Sequence, residues 1–273
     1  MGGPSSTLGM CCLAPLMTIA SLDCQENLAT PQGFPPIHAL RDTRSRVEWF
    51  DAYVSTFLER DLPALGIGLP ARRLRILWTM LTHVHGNLLN VSDLARSLAV
   101  SSHTIASDLD VLEGAFMIRR LQPYFANVQK RLTKSAKLYV RDSGLLHFLA
   151  SLRQPRELTT WARRGASFEG MVIEELTALA THRLVRPEFF FWRTQAGAEV
   201  DLLIVEGRRI LPIEIKLGSA VNPYGVAGPR QCMKDLGLRR GWVISTARER
   251  RRLSPEIELI PWAELASGNI EFF

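Results

Sequence analysis

The chain has 273 residues, 47% hydrophobic and 22% charged, with a formal net charge of +6. That is room for one large domain or two modest ones, each with its own core, and it excludes a disordered chain. Four cysteines at positions 11, 12, 24 and 232 form neither a disulfide framework nor a zinc pattern. A reducing, cytoplasmic setting fits, and the positive charge favours a polyanionic partner.

Residues 1–40 read as a poorly structured connector. "LAPLMTIASL" (13–22) is too short to span a bilayer, and no Lys or Arg precedes Arg41 as a secretory leader requires. No membrane role is expected. "PQGFPPIHAL" (31–40) is a Pro- and Gly-rich link, and "TRSRVEWFDAYVSTFLERDL" then places Val47, Phe50, Val54, Phe57 and Leu58 at helical spacing, ended by Pro63 and "GIGLP".

A first domain is expected over residues 41–152. "ARRLRILWTMLTHVHG" (71–86) predicts a helix stopped at Gly86; His83 and His85 near its end have no Cys or carboxylate company and read as a helix terminus. Residues 90–118 predict two short helices about the turn "AVSS", the first capped by Ser92, the second by Ser101 or Ser102. Leu94, Ala95, Leu98, Val100, Ile105, Leu109 and Leu112 supply the inward face of this helix-turn-helix. "MIRRLQPY" and "KLYVRD", joined by the basic "NVQKRLTKSAK", add a two-stranded wing, so the unit reads as a winged helix. Ser102, His103, Thr104 and Ser107 would face bases, and Lys130, Arg131, Lys134 and Lys137 on the wing would meet phosphates. The second helix also carries Asp108, Asp110 and Glu113 and no Lys or Arg, which favours the wing as the DNA contact and leaves a packing role open. Asp142 is placed to cap a further short helix, and the domain boundary is expected at 153–160.

A second domain is expected over residues 160–265. "SFEGMVIEELTALATHRL" (167–184) is a helix with Phe168, Val172, Leu176 and Leu179 on one stripe. "EFFFWRT", "EVDLLIVEG" and "RRILPIEIKLG" are strands so closely joined that they must form a meander. "GPRQCMKDLG" (228–237) gives another helix and "RGWVIST" (240–246) a buried strand, while "RERRR" (248–252) reads as a solvated turn. Asp201 falls near the start of the middle meander strand. Glu214 and Lys216 fall two apart in the next, on the face opposite Leu211, Ile213 and Ile215. Two carboxylates and an ammonium on a covered sheet fit a Mg²⁺ site: oxygen ligands for the ion, and a lysine to position water and offset charge. Glu169, at the edge of the helix stripe, would support the ion; a satisfied ion-pair network is the bland alternative.

Asp, about a dozen residues, then Glu-x-Lys, preceded by a helix bearing Glu, resembles the PD-(D/E)xK nuclease superfamily. The resemblance gives Asp201, Glu214 and Lys216 the core positions, Glu169 that of the helix glutamate and Gln231 that of an auxiliary glutamine; Val200 stands where many members have proline. The implied fold is α+β to α/β: a helical winged-helix domain, then a restriction-endonuclease-like α/β domain with a mixed sheet. "GFPPIH", "WFDAYVSTFLERDL", "LLNVSDLARSLAVSSHTIASDLDVLE", "KLYVRDSGLLHFL", "FEGMVIEEL", "FFFWRTQAGAEVDLLI" and "LPIEIKLG", in this order, are similar to the bacterial and archaeal AAA-type ATPases that end in domain of unknown function 4143. Members carry an ATPase core before these blocks. No G-x-x-x-x-G-K-[ST] loop occurs here, so the chain resembles a truncated member, with no ATP site of its own and any ATPase acting in trans. The expectation is a DNA-binding protein with a Mg²⁺-dependent nuclease site, the alternatives being a non-catalytic DNA- or protein-binding module and a gene remnant.

Overall fold

A carboxylate opens the first of the described helices. In the computed structural model, which describes residues 40, 42–125, 135–221 and 223–266, Asp42 accepts from the Ser45 N–H at 2.8 Å and caps α1 (Thr43–Thr56). A π-helical turn, Phe57–Asp61, and a last turn, Leu62–Ala64, continue it, so Pro63 is absorbed into the final turn rather than stopping the helix. Phe50, Val54, Phe57, Leu58 and Leu62 are buried against Leu74, Leu77, Trp78 and Leu81 of α2 (Ala71–Val84).

β1 (Asn87–Leu88), α3 (Val91–Ser97) and α4 (Ser102–Gly114) follow. Asn90, not Ser92, caps α3, because its side chain lies one residue outside the helix and accepts from the Asp93 N–H at 3.2 Å. Ser101 caps α4 through the Thr104 N–H at 3.0 Å. β2 (Ile118–Pro123) and β3 (Lys137–Val140) pair antiparallel, and β1 adds to the far side of β3. Asp142 caps α5 (Ser143–Leu149), which is buried along its whole length. α6 (Pro155–Thr160) then leads into the 20-residue α7 (Arg164–Arg183).

The meander forms as read: β4 (Glu188–Arg193), β5 (Glu199–Glu206) and β6 (Arg209–Lys216) are antiparallel. α8 (Ala227–Leu236), ended by Gly237 at φ +66°, crosses to β7 (Gly241–Ser245), which is parallel to β6. β8 (Arg251–Ser254), β9 (Ile257–Pro261) and α9 (Trp262–Ala266) complete the described chain. Arg251 and Arg252 thus begin an edge strand, where the arginine run alone suggested a turn.

The nine strands among the described residues belong to one mixed sheet, in the order β1-β3-β2-β4-β5-β6-β7-β9-β8. The join between its two parts is the parallel pairing of β2 with β4, Gln122 opposite Phe190 and Pro123 opposite Phe191. β2 and β3 therefore serve two cores by ordinary strand alternation. Ile118, Leu138 and Val140 face the helical core of α1 to α5, while Leu121 and Tyr139 face the core beneath α7.

Polar links reinforce the same seam. His85 bonds the Ala166 carbonyl through Nε2 at 3.0 Å and accepts from the Val140 N–H through Nδ1 at 3.0 Å, and its complete burial pulls its pKa down to about 3. Glu174 of α7 takes Arg119 of β2 at 2.5 Å and Arg141 at 2.8 Å. Among the described residues no helix is long and apolar enough to cross a membrane.

Candidate active site

The site begins with an irregularity in a strand. Phe190 pairs with Leu203 and Trp192 with Val200, so β5 carries one residue more than β4 between these pairs. The extra residue lies at Asp201 and Leu202, and such a bulge re-aims side chains. As a result Val200, Leu203 and Val205 share the core with Cys232, while Leu202 and Ile204 pack under α7. The β5–β6 pairing runs as far as Leu202 opposite Ile213. Beyond it Asp201 replaces a ladder bond, its Oδ2 accepting from the Ile215 N–H at 2.8 Å.

Asp201, Glu214, Lys216 and Glu169 meet at this fork. Lys216 Nζ lies 2.5 Å from Glu214 Oε1. Glu214 is only 6% exposed, and its second oxygen, Oε2, is buried without a hydrogen-bond partner among the described residues. An orphaned carboxylate oxygen in such a place costs free energy unless a water or cation completes it. Burial first, and the charge of Asp201 second, push Glu214 up to about 8 against the opposing pull of Lys216. The same two causes raise Glu169 to about 7.

Sequence reasoning missed three members of the cluster. Lys137, expected on the wing against phosphates, is 3% exposed, and its ammonium lies 3.0 Å from Glu169 Oε1 and 3.4 Å from Asp201 Oδ1. It also pairs with Glu199 Oε1, and Glu199 in turn takes Arg193 at 3.1 Å. Tyr139, two residues along β3, donates to the same Glu169 Oε1. The correction has a simple cause: β3 is buried at all four of its residues, so Lys137 has no solvent face to offer a nucleic acid. The run "KLYV" carries no local mark of this burial, and a lysine inside a covered strand needs acidic company, which the cluster supplies.

Two glycines let the elements close on the site. A Cβ on Gly170, beside Glu169, would lie 2.9 Å from His85 Nε2 and 3.1 Å from Tyr139 Cδ1. One on Gly228, at the start of α8, would lie 2.1 Å from the Glu199 carbonyl oxygen.

Gln231 does not join them. It is exposed on α8 and donates to Asp235 at 2.9 Å, because the neighbouring Cys232 and Met233 form the buried face of that helix. Among the described residues no three His, Cys, Asp or Glu side chains are gathered as a complete metal-holding set. The donors nevertheless fit a magnesium-type ion, which takes one or two carboxylates and fills its shell with water and phosphate oxygens. Asp201 and Glu214 would be those carboxylates, Glu214 through its unpartnered oxygen.

On the helix-turn-helix, Ser102, His103 and Ser107 are exposed, whereas Thr104 is half-buried with its hydroxyl 2.8 Å from Ser101 Oγ in the cap. The acids that counted against this helix are neutralised within the fold. Asp108 is buried in a two-pronged pair with Arg73 at 2.9 Å, and Arg120 holds both Asp110 and Glu113. Lys130, Arg131 and Lys134 lie outside the described residues.

An uncharacterized protein of Mycobacterium bovis, Mb2031c, and one of Mycobacterium tuberculosis, Rv2008c, are each 39% identical over 240 residues, 88% of this chain. The match covers 53% of either relative, so the chain spans about half the length of the curated relatives it matches. Among solved structures, the transcriptional regulator PA3341 aligns over 52% of this chain and 100% of its own at 21% identity, with a TM-score of 0.21 that is too low to carry an argument. Residues 32–156 match the domain of unknown function DUF8612 and residues 164–265 match DUF4143; the chain carries the one followed by the other, with the carboxylate–lysine cluster centred in the second.

Proposed function

We propose that the chain is a DNA-binding protein of winged-helix and PD-(D/E)xK type whose second half carries a Mg²⁺-dependent phosphodiesterase site. The observation that carries this reading is the meeting of Asp201, Glu214, Lys216 and Glu169 at a bulged strand fork, with Glu214 Oε2 buried and unpartnered. A divalent ion bound by Asp201 and Glu214 would polarise a phosphate oxygen and lower the pKa of a bound water. The side chains contribute the rest. Lys216 is 46% exposed at the rim, where its ammonium reaches solvent to orient a water and offset charge on the phosphate. Glu169 and Tyr139 hold the floor of the cluster in place. Ser102, His103 and Ser107 offer an exposed polar helix face whose acidic neighbours are already paired, and this supports DNA contact by α4.

A second reading, a non-catalytic module that binds DNA or protein, is favoured by one specific feature: Lys137 already bonds three of the carboxylates. One assay separates the two. Purified protein is incubated with supercoiled plasmid and with single- and double-stranded oligonucleotides, with Mg²⁺ or with chelator. The nuclease reading predicts Mg²⁺-dependent cleavage that falls at least about a hundredfold in Asp201→Asn and in Lys216→Ala. Equal cleavage by wild type and Asp201→Asn would sink it, and salt-sensitive DNA binding with no cleavage at all would establish the second reading in its place.

A further inference from the structure

We propose that Lys137 is the site's resident cation: its ammonium occupies the carboxylate cluster in competition with a divalent ion, and so sets how tightly that ion is held. The inference rests on the metal reading above and goes beyond it, because Lys137 belongs to no part of the Asp, Glu-x-Lys pattern. It comes from β3, in the other half of the chain, and reaches the site only because β2 and β3 join the sheet beside β4.

The geometry is that of a counter-ion. An ammonium has three N–H donors and no acceptor. Here it has three carboxylate oxygens: Glu169 Oε1 at 3.0 Å, Asp201 Oδ1 at 3.4 Å, and Glu199 Oε1. The Phe191 ring, 5.7 Å away at its centroid, closes another side. At 3% exposure Lys137 is shielded from water, so its charge acts on these neighbours with little screening. Asp201 is the shared element. One of its oxygens is committed to the Ile215 N–H, and the other, the one left to bind an ion, is the oxygen Lys137 approaches.

The cluster is not saturated by this lysine. Four carboxylates, Glu169, Glu199, Asp201 and Glu214, are met by two ammonium groups, Lys137 and Lys216, and by the Arg193 guanidinium on Glu199. With all four carboxylates ionised one negative charge is left over, and Glu214, 6% exposed, keeps its Oε2 buried and without a partner among the described residues. The arrangement is therefore that of a site with a weak permanent occupant beside an open ligand. Glu199 gives the displaced ammonium somewhere to go. It is bonded to Lys137 but holds no place among the ion's ligands, so Lys137 keeps a partner when Asp201 turns to the ion.

The test is the affinity of the whole chain for Mn²⁺ and Mg²⁺ in Lys137→Gln and Lys137→Arg beside wild type. Titration calorimetry gives the affinity, and the rise in melting temperature on adding the ion gives a second readout. Removing the internal charge predicts binding about tenfold tighter or more in Lys137→Gln, the scale on which one neighbouring charge acts. It also predicts a larger ion-induced rise in melting temperature than in wild type. Lys137→Arg keeps the charge and should bind as wild type does. Should Lys137→Gln not fold without added ion, folding restored by Mn²⁺ would support the proposal, and failure to fold with the ion present would overturn it. Equal affinity in wild type and Lys137→Gln overturns the resident-cation proposal and leaves the metal site standing. Binding in none of the three proteins overturns the metal reading itself, and the proposal with it.

Discussion

Asp142 serves two ends that pull against each other. Its Oδ1 accepts from the Leu145 N–H at 2.6 Å and caps α5, while its Oδ2 is buried with no partner among the described residues. Burial pushes the carboxyl up to about 7, against the N–H bonds of Leu145 and Gly144, which favour the charged form. A carboxyl raised in the folded state is fully compatible with folding below its unfolded pKa. That stability is lost as pH rises through the folded value, here between about pH 4 and pH 7. Asn caps a helix as well as Asp does, and carries no charge. Asp142→Asn should therefore narrow the stability difference between pH 5 and pH 8 by about 2–3 kcal/mol, the cost of the unpartnered amide being the same at both pH values. Denaturant melts of both proteins at the two pH values measure it, and an unchanged difference would contradict the assignment. Glu169 and Glu214, also raised, add to the loss in both proteins and cancel from the comparison.

At the scale of elements, the contact that holds the cluster from behind is α8 on β5. Gly228 lies so close to the Glu199 backbone that a methyl there would sit 2.1 Å from its carbonyl oxygen and 3.1 Å from its nitrogen, so Gly228→Ala must push the helix away. The expected cost is about 1–3 kcal/mol, the range for overpacking a fitted contact. Gly114→Ala, with nothing within 4 Å of the new methyl, is the matched control and should change stability little. Equal melting of the two variants would show that α8 is free to move. The elements themselves were largely legible. The alternation of "EVDLLIVEG" and "RRILPIEIKLG", the short links between them, and the caps at Ser101 and Asp142 are local signals, and local signals decide local structure. Gln231 was legible too, had the stripe been followed one residue further to Cys232 and Met233. The end of α1 was not, because a π-helical turn before Pro63 has no simple sequence mark.

At the scale of the molecule, the two matched domains share one sheet, and the candidate site draws on both. Asp201, Glu214, Lys216 and Glu169 could be named from the sequence because the Asp, Glu-x-Lys spacing after a helix glutamate falls within one stretch. Lys137, Tyr139 and the pairing of β2 with β4 could not, since nothing local in "KLYV" says which strand will lie beside it. Strand partners far apart in sequence are chosen by the packing of the whole, and here that packing moves a lysine from an expected DNA-facing wing into an acidic cluster. Whether that cluster takes a divalent ion decides between a working site and a structural one. The direct measurement is calorimetric titration of Mg²⁺ into wild type and into Asp201→Asn, a variant that keeps a carbonyl oxygen for the Ile215 N–H and removes one ionic ligand. Binding in wild type that is lost or weakened at least about tenfold in Asp201→Asn is the predicted result. Binding absent from both, or equal in both, would mean that the carboxylates are satisfied by Lys137 and Lys216 alone and that the site is structural.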